Sequence, residues 1–278
     1  MIKHAIIPLA GLGTRLLPLT SVLPKELLPI NGRIGLEYIL DEAISAGIKK
    51  FILIISKKKS NIKKYFYNDK FYKNIIKKNK DKRIINEYKK IIKYKKMIKF
   101  VYQNNPKGTG DAVLKCKKYI NDKFFLMLLP DDLIIEKNCT KEMVTLHNKM
   151  KSPIIATKKV ERKNVSRWGI LKIKNKKKNY FEISDVVEKP NIKVAPSNYA
   201  IIGRYILPTN IMNELGKTKP GKGNEIHITD AIKNLILNGN KFYGNIFKGE
   251  YLDCGTMPGY INSSTSIGKK YLKWKFVW

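Results

Sequence analysis

Negative charge is scarce in this chain: 22 Asp and Glu stand against 56 Lys and Arg in 278 residues, a formal net charge of +34. An imbalance of that size brings a nucleic acid or an anionic membrane into consideration as a partner. The lysines, however, run from end to end, often in adjacent pairs beside Ile, Asn and Tyr, and no one block marks a binding face. The pattern fits compositional drift toward AT-rich codons better than a built surface, so no specific nucleic-acid partner is expected. Cysteine is also sparse. Cys116, Cys139 and Cys254 are odd in number, far apart and without a CxxC pair, which points to a reducing, cytoplasmic setting. Long apolar runs are missing too: Phe51 to Ile55 and Phe124 to Leu129 are too short to span a bilayer, and no leader pattern precedes the first strand. The expectation is a soluble cytoplasmic protein with no membrane partner and one large α/β core.

The most informative segment is LAGLGTRLLPLTSVLPKELLP at 9–29. It follows an apolar strand at His4 to Leu9. Gly11 and Gly13 are expected to turn the backbone through positive φ, so that successive N–H groups can point at one anion. Arg15 adds a planar, permanent charge whose fork can take two phosphate oxygens at once. Lys25 adds a more mobile point charge on a segment stiffened by Pro24 and Pro29. This suits a triphosphate, and two other phosphate loops are excluded. A dinucleotide fingerprint needs a small residue where Leu16 stands and an acidic residue after the second strand, which here ends in Ser56, Lys57 and Lys58. The nearest P-loop string, GKTKPGKG at 216–223, lacks the metal-binding hydroxyl and a preceding buried strand.

Apolar runs alternate with helical periodicity, predicting strands at 4–9, 51–55, 98–102, 124–129 and 154–159 and helices at 35–46, 110–119 and 141–149. This is the pattern of a Rossmann-like α/β fold with a mixed, mostly parallel sheet flanked by helices. Shorter strands near 169–173, 185–188 and 200–207, helices near 211–215 and 229–238, a strand at 241–247 and a helix from about 259 suggest a small additional β/α lobe. The chain reads as a single domain over 1–278. Residues 57–96 form a basic helical excursion, read as largely solvated, with Phe66, Phe71 and Tyr88 at core-like spacing. Ligands of such sheets sit beyond the carboxyl ends of the strands, so Gly11, Gln103 and Asp131 should converge on one crevice. Asp131 and Asp132 end a buried strand, where a magnesium ligand is the sharper reading and a turn-capping pair the plainer one. Asp253, in YLDCGTMPGY, is a second ligand or else a helix cap.

The strings GLGTR at 11–15 and PKELLP at 24–29 resemble the signature of the sugar-1-phosphate nucleotidylyltransferases. QNNPKGTGDAV at 103–113, LPDD at 129–132, WGI at 168–170, VVEKP at 186–190, APSNYAIIGRYIL at 195–207, GNEIHITDAI at 223–232 and DCGTMPGY at 253–260 narrow the resemblance to the bacterial UTP-glucose-1-phosphate uridylyltransferases. The match runs in order over nearly the whole chain. It implies that the additional β/α lobe is sugar-binding, with residues 1–135 mainly a nucleotide-binding half and 136–278 mainly a sugar-phosphate-binding half. It implies direct transfer from UTP to glucose-1-phosphate, with Mg²⁺ as cofactor on Asp131 and Asp253 and a homodimer or homotetramer as the assembly. It implies nucleotide contacts by Leu9, Ala10, Gly11, Gly13, Thr14, Gln103, Gly108 and Asp131. Sugar contacts fall to Gly169, Glu188, Lys189 and Gly203, and the catalytic set to Arg15, Lys25 and Lys189. Glu225 and Asp230 also fall on matched positions, Asp230 reading better as a helix-start residue. The chain departs from the family at Arg33 and Ile34, at Asp111 where a histidine is common, and in a shorter end after Tyr271. A relative using dTTP or ATP, a lysine-rich nucleic-acid binder on an old fold, and an inactive homologue are the competing readings.

Overall fold

The computed structural model describes residues 2–78 and 81–271. The short end after Tyr271, and residues 79 and 80 of the basic excursion, lie outside the described residues. The first half runs β1 (His4–Pro8), β2 (Pro29–Ile30), β3 (Arg33–Ile34), α1 (Gly35–Ser45), β4 (Lys50–Ile55), α2 (Ser60–Tyr67), α3 (Asp69–Lys78), α4 (Lys82–Met97), β5 (Ile98–Tyr102), α5 (Thr109–Leu114) and β6 (Phe124–Leu128). The second continues β7 (Asp132–Ile135), α6 (Cys139–Met150), β8 (Ile154–Lys159), β9 (Gly169–Lys174), β10 (Tyr180–Glu188), β11 (Tyr199–Pro208), α7 (Ile211–Lys217), α8 (Ile228–Leu237), β12 (Phe242–Ile246), β13 (Glu250–Asp253) and α9 (Met257–Tyr271).

Nine strands form one sheet in the order β5-β4-β1-β6-β11-β8-β12-β10-β9. The block β5-β4-β1-β6 is parallel throughout. Beyond it the sheet is mixed: β11 runs antiparallel to β6 and β8, β12 parallel to β8, and β10 antiparallel to β12 and β9. Of the strands expected in the second half, β9 and β10 form the far edge of this sheet and β11 and β12 lie within it.

Period-two alternation splits the core between the two faces of this sheet. Ile7, Leu53 and Leu126 point to one face, where α1 brings Leu36, Ile39, Leu40 and Ala43 and α6 brings Met143 and Leu146. Ile6, Ile52 and Met127 point to the other, covered by Ala112 and Val113 of α5, Met212 and Leu215 of α7, and Ile232 and Leu235 of α8. Each fully buried Leu or Ile contributes roughly 1.5–3 kcal/mol. The helix α1 is closed by Gly47, whose φ of +97° a side chain would strain.

The basic excursion is tied to this body more firmly than its composition suggests. Nζ of Lys90 lies 2.6 Å from the buried carboxylate of Glu37, and the Tyr94 hydroxyl donates to Asp41 at 2.6 Å. Arg33 pairs with both acids. Phe66 is wholly buried, whereas Phe71 is exposed and Tyr88 only half-buried, stacked on Tyr72. Of the three aromatics at core-like spacing, only Phe66 reaches the core.

Strand order reverses at β1: β4 and β5 lie on one side, β6 on the other. Loops leaving the carboxyl ends of β1 and β6 separate there and leave a crevice. Residues 9–15 and 129–132 form its two lips.

Candidate active site

The loop after β1 contains no α-helix before Gly35. Instead it makes three single 3₁₀ turns, at Thr14–Leu16, Leu19–Ser21 and Lys25–Leu27. Gly13 has φ +71°, and its carbonyl accepts from Oγ1 of Thr20 at 2.9 Å, folding the loop back on itself. Gly11 does not adopt positive φ, contrary to expectation. Among the described residues, no protein acceptor takes the N–H groups of Gly11, Leu12 and Gly13. Arg15 is 61% exposed along its side chain and leans toward Asp131 at 3.5 Å.

Lys25 is enclosed and paired. Its Nζ lies 2.7 Å from Oδ2 of Asp131, with only 15% of the side chain exposed. Burial works against its charge, but Asp131 and then Glu26 outweigh burial and hold the ammonium above the ordinary lysine value. Beneath it lies a second ion pair: both Glu26 oxygens accept from Nζ of Lys59, at 2.8 and 2.9 Å, with both residues buried. Burial outweighs Glu26 at Lys59 and lowers its pKa.

The adjacent acids of 129–132 do different work. Burial would raise Asp131, but the Lys25 ammonium overrides it and keeps the carboxyl below its usual range. Asp132 accepts from the Tyr251 hydroxyl at 2.7 Å and from the Gly203 N–H at 3.0 Å, so it braces the turn. Burial and the neighbouring Asp131 charge push Asp132 up to about 6. Arg204, fully buried against Glu42 at 2.8 Å, donates to the Leu129 carbonyl at 3.1 Å and fixes the same turn from behind.

Asp253 reaches the site through a pairing between distant segments. β7 and β13 form a separate two-stranded ribbon with Asp132 opposite Asp253. Asp253 does not cap α9, since Thr256 holds that position and receives the Gly259 N–H at 3.3 Å. Instead Oδ1 accepts from the Gly255 N–H at 2.8 Å and Oδ2 meets Nη2 of Arg167 at 2.7 Å. Gly255 keeps the space among these groups open. A Cβ there would stand 2.8 Å from Oδ2 of Asp131, 2.9 Å from Nη2 of Arg15 and 3.1 Å from Oδ1 of Asp253.

Two cavities open from this point. One, of about 310 Å³, is lined by Ala10, Gly11, Lys25, Gln103 and Gly108. The other, of about 750 Å³, is lined by Thr14, Arg167, Gly169, Glu188, Tyr205 and Thr229. Arg15, Asp131, Lys189 and Glu225 line both. Leu9, Gly13 and Gly203 line neither; Leu9 is a core residue whose N–H donates to Ile54. A Cβ on Gly203 would collide with Asp132 and sit 2.5 Å from Cβ of Leu129, so this glycine lets β11 approach the turn after β6. Gly108, at φ +97°, packs against the backbone of Ile226.

At the far end of the larger cavity Glu188 accepts from Oγ1 of Thr229 at 3.1 Å, and Gly169 leaves room beside it. Lys189 holds φ +42°, rare for a side-chain-bearing residue, with its N–H donating to the Trp168 carbonyl at 3.1 Å and Pro190 following. Such conformations persist only where the surrounding structure holds them, and they cluster at binding and catalytic sites. Its Nζ also lies 3.4 Å from Glu188. Asp230 stands in the first turn of α8, as a helix-start residue. Arg167, Thr229 and Tyr251 went unremarked in the sequence, although Arg167 and Thr229 adjoin or lie within the strings WGI and HITD.

The Nucleotidyl transferase family matches residues 4–270. The chain belongs to that family. Among curated relatives, this nucleotidyl transferase is 35% identical to UTP–glucose-1-phosphate uridylyltransferase 2 of Staphylococcus saprophyticus, over 97% of the chain and 93% of the relative. It is 34% identical to the Streptococcus pyogenes protein of the same name, over 97% and 91%. Among solved structures, a UDP-glucose pyrophosphorylase complexed with UDP-glucose superposes with a TM-score of 0.87 at 36% identity, over 97% of this chain and 100% of that one. A UTP-bound enzyme from Acinetobacter baumannii gives 0.88 at 32%, over 98% and 95%.

Proposed function

We propose that this nucleotidyl transferase is a UTP–glucose-1-phosphate uridylyltransferase that makes UDP-glucose and pyrophosphate. The observation that carries the reading is the wall common to both cavities, where Arg15, Asp131 and Lys189 lie between a nucleotide-sized pocket and a larger polar one. The relatives and the UTP- and UDP-glucose-bound structures support it.

The reaction needs no nucleophile from the protein, because a phosphate oxygen of glucose-1-phosphate can attack the α-phosphorus of UTP in line and expel pyrophosphate. The protein's work is to hold two mutually repelling anions together and to offset charge on the leaving group. Arg15 and the free N–H groups of Gly11 to Gly13 face the β and γ phosphates. Lys25, fixed by Asp131, supplies positive charge near the α-phosphate. Lys189 holds the attacking phosphate, Glu188 accepts from sugar hydroxyls with Thr229 orienting it, and Gln103 contacts the uracil edge.

Asp131 and Asp253 suit Mg²⁺. Among the described residues no three metal-type side chains cluster; magnesium, which needs only one or two carboxylates beside phosphate oxygens, would be held by Asp131 and Asp253. Asp132 accepts from the Tyr251 hydroxyl and the Gly203 N–H and is assigned the bracing of the turn instead. A bound Mg²⁺ would supply charge neutralisation on the nucleotide phosphates. No helix among the described residues is long and apolar enough to cross a membrane. A cytoplasmic homodimer or homotetramer is part of this reading.

The test is pyrophosphate release with UTP, dTTP, ATP and GTP in turn, each with glucose-1-phosphate and magnesium. UTP should be used fastest, by about a hundredfold over the purines. A faster rate with dTTP or ATP would reassign the enzyme.

A further inference from the structure

The smaller cavity has a polar feature that the transfer chemistry does not use. Gln103 follows β5, and its N–H continues the ladder to the Ile55 carbonyl at 2.9 Å, so its backbone is fixed. The residue is only 3% exposed. Nε2 donates to the Gly108 carbonyl at 3.3 Å and to Oδ2 of Asp111 at 2.5 Å. Both partners are acceptors, so the NH₂ end of the amide must face them; the opposite orientation would set Oε1 against a carboxylate. Asp111 is itself tethered, 3.6 Å from Nζ of Lys115 one turn on along α5. Among the described residues, the sole wholly buried side-chain nitrogen or oxygen without a partner is Nδ2 of Asn245. Oε1 of Gln103 receives no protein donor and is therefore open to the cavity that Gln103 lines.

We propose that Asp111 is a specificity-determining positioning residue: by fixing the Gln103 amide it presents a carbonyl oxygen to the base and selects a pyrimidine that carries N3–H. The inference rests on the proposed function only in taking this cavity as the base site. Uracil and thymine offer a donor at N3. Cytosine offers a lone pair there, which a fixed carbonyl oxygen repels, and a buried polar group left unpaired is costly. Free rotation of the amide would remove that discrimination, because Gln103 could then donate to cytosine as readily as accept from uracil.

The experiment compares UMP and CMP binding by calorimetry, and UTP and CTP turnover, in the parent and in Asp111→Asn, Asp111→Ala and Asp111→Glu. The parent should favour uracil. Asp111→Asn, which can present either a donor or an acceptor, and Asp111→Ala, which presents neither, should each lower the uracil-to-cytosine ratio by about tenfold or more, with cytosine binding rising in absolute terms. Asp111→Glu should restore the ratio. A purely structural role for Asp111 would weaken both nucleotides together and leave the ratio unmoved, and that result overturns the proposal. A parent that binds UMP and CMP equally overturns it too. Failure to release pyrophosphate from UTP sinks the proposed function instead, since monophosphate binding still reads the base preference.

Discussion

Nζ of Lys25 stands 2.7 Å from Oδ2 of Asp131, so an ion pair joins the loop after β1 to the turn after β6 across the switch point of the sheet. Neither charge is left to find its place when substrate arrives. Lys25 is held protonated by Asp131, and Asp131 is held ionised by Lys25. Preorganisation of this kind is what electrostatic catalysis requires.

Arg15 should therefore matter for turnover far more than for folding, and Asp131, which pairs with the largely buried Lys25, for both. Arg15→Ala removes an exposed cation, and Asp131→Asn keeps the shape of the turn. Each is expected to lower kcat/KM by about a hundredfold or more, roughly the 2.7 kcal/mol typical of a lost transition-state contact. Steady-state kinetics beside a denaturation curve checks it, and near-normal rates in either variant would remove that residue from the mechanism.

The pair Glu26–Lys59 should show the opposite balance. Lys59→Met strands a buried carboxylate and should cost about 3–5 kcal/mol of stability, whereas the double change Glu26→Gln with Lys59→Met should recover much of that loss. Urea denaturation of the two variants measures the difference.

Gly203→Ala separates a packing role from a sugar contact. The added methyl meets Leu129 and Asp132, so it should destabilise the fold by about 1–3 kcal/mol through overpacking. The shift in unfolding midpoint should exceed any selective rise in KM for glucose-1-phosphate. A rise in that KM without loss of stability would return Gly203 to the sugar site.

His147 gives the fold an acid sensitivity remote from the site. Burial lowers its pKa, and Nδ1 lies 2.8 Å from the Ser152 carbonyl with the ring edge-on to Phe124. The unfolded chain takes up a proton near the ordinary value of 6.5 that the folded chain resists. Its contribution is thus fully present above that value and is lost as pH falls toward the folded pKa. Replacing His147 with Gln should flatten the stability profile from just above 6.5 downward, measured as thermal midpoint against pH.

The phosphate loop, Asp131 and the βαβ order were readable because their signals are local: glycines after an apolar strand, a carboxylate at a strand end. The ribbon of β7 and β13 was not, since four-residue strands more than a hundred positions apart leave no periodic trace, yet that pairing is what carries Asp253 to Asp131. The β2–β3 hairpin was overlooked although Asn31 and Gly32, both at positive φ, form a common hairpin turn. Lys59 was hidden by composition. In a run such as SKKKSNIKKY a buried lysine looks like its solvated neighbours, and only the position of Glu26 distinguishes it. Asp111 looked like a departure from a family pattern, and its contact with Gln103 appears only in three dimensions.

Direct transfer brings two bound anions together at the wall formed by Arg15, Asp131 and Lys189. Pyrophosphate release from UTP and magnesium, followed on the millisecond scale with and without glucose-1-phosphate, tests it most directly. Release should occur only when both substrates are present. A stoichiometric burst with UTP alone, or no release with both, would contradict it.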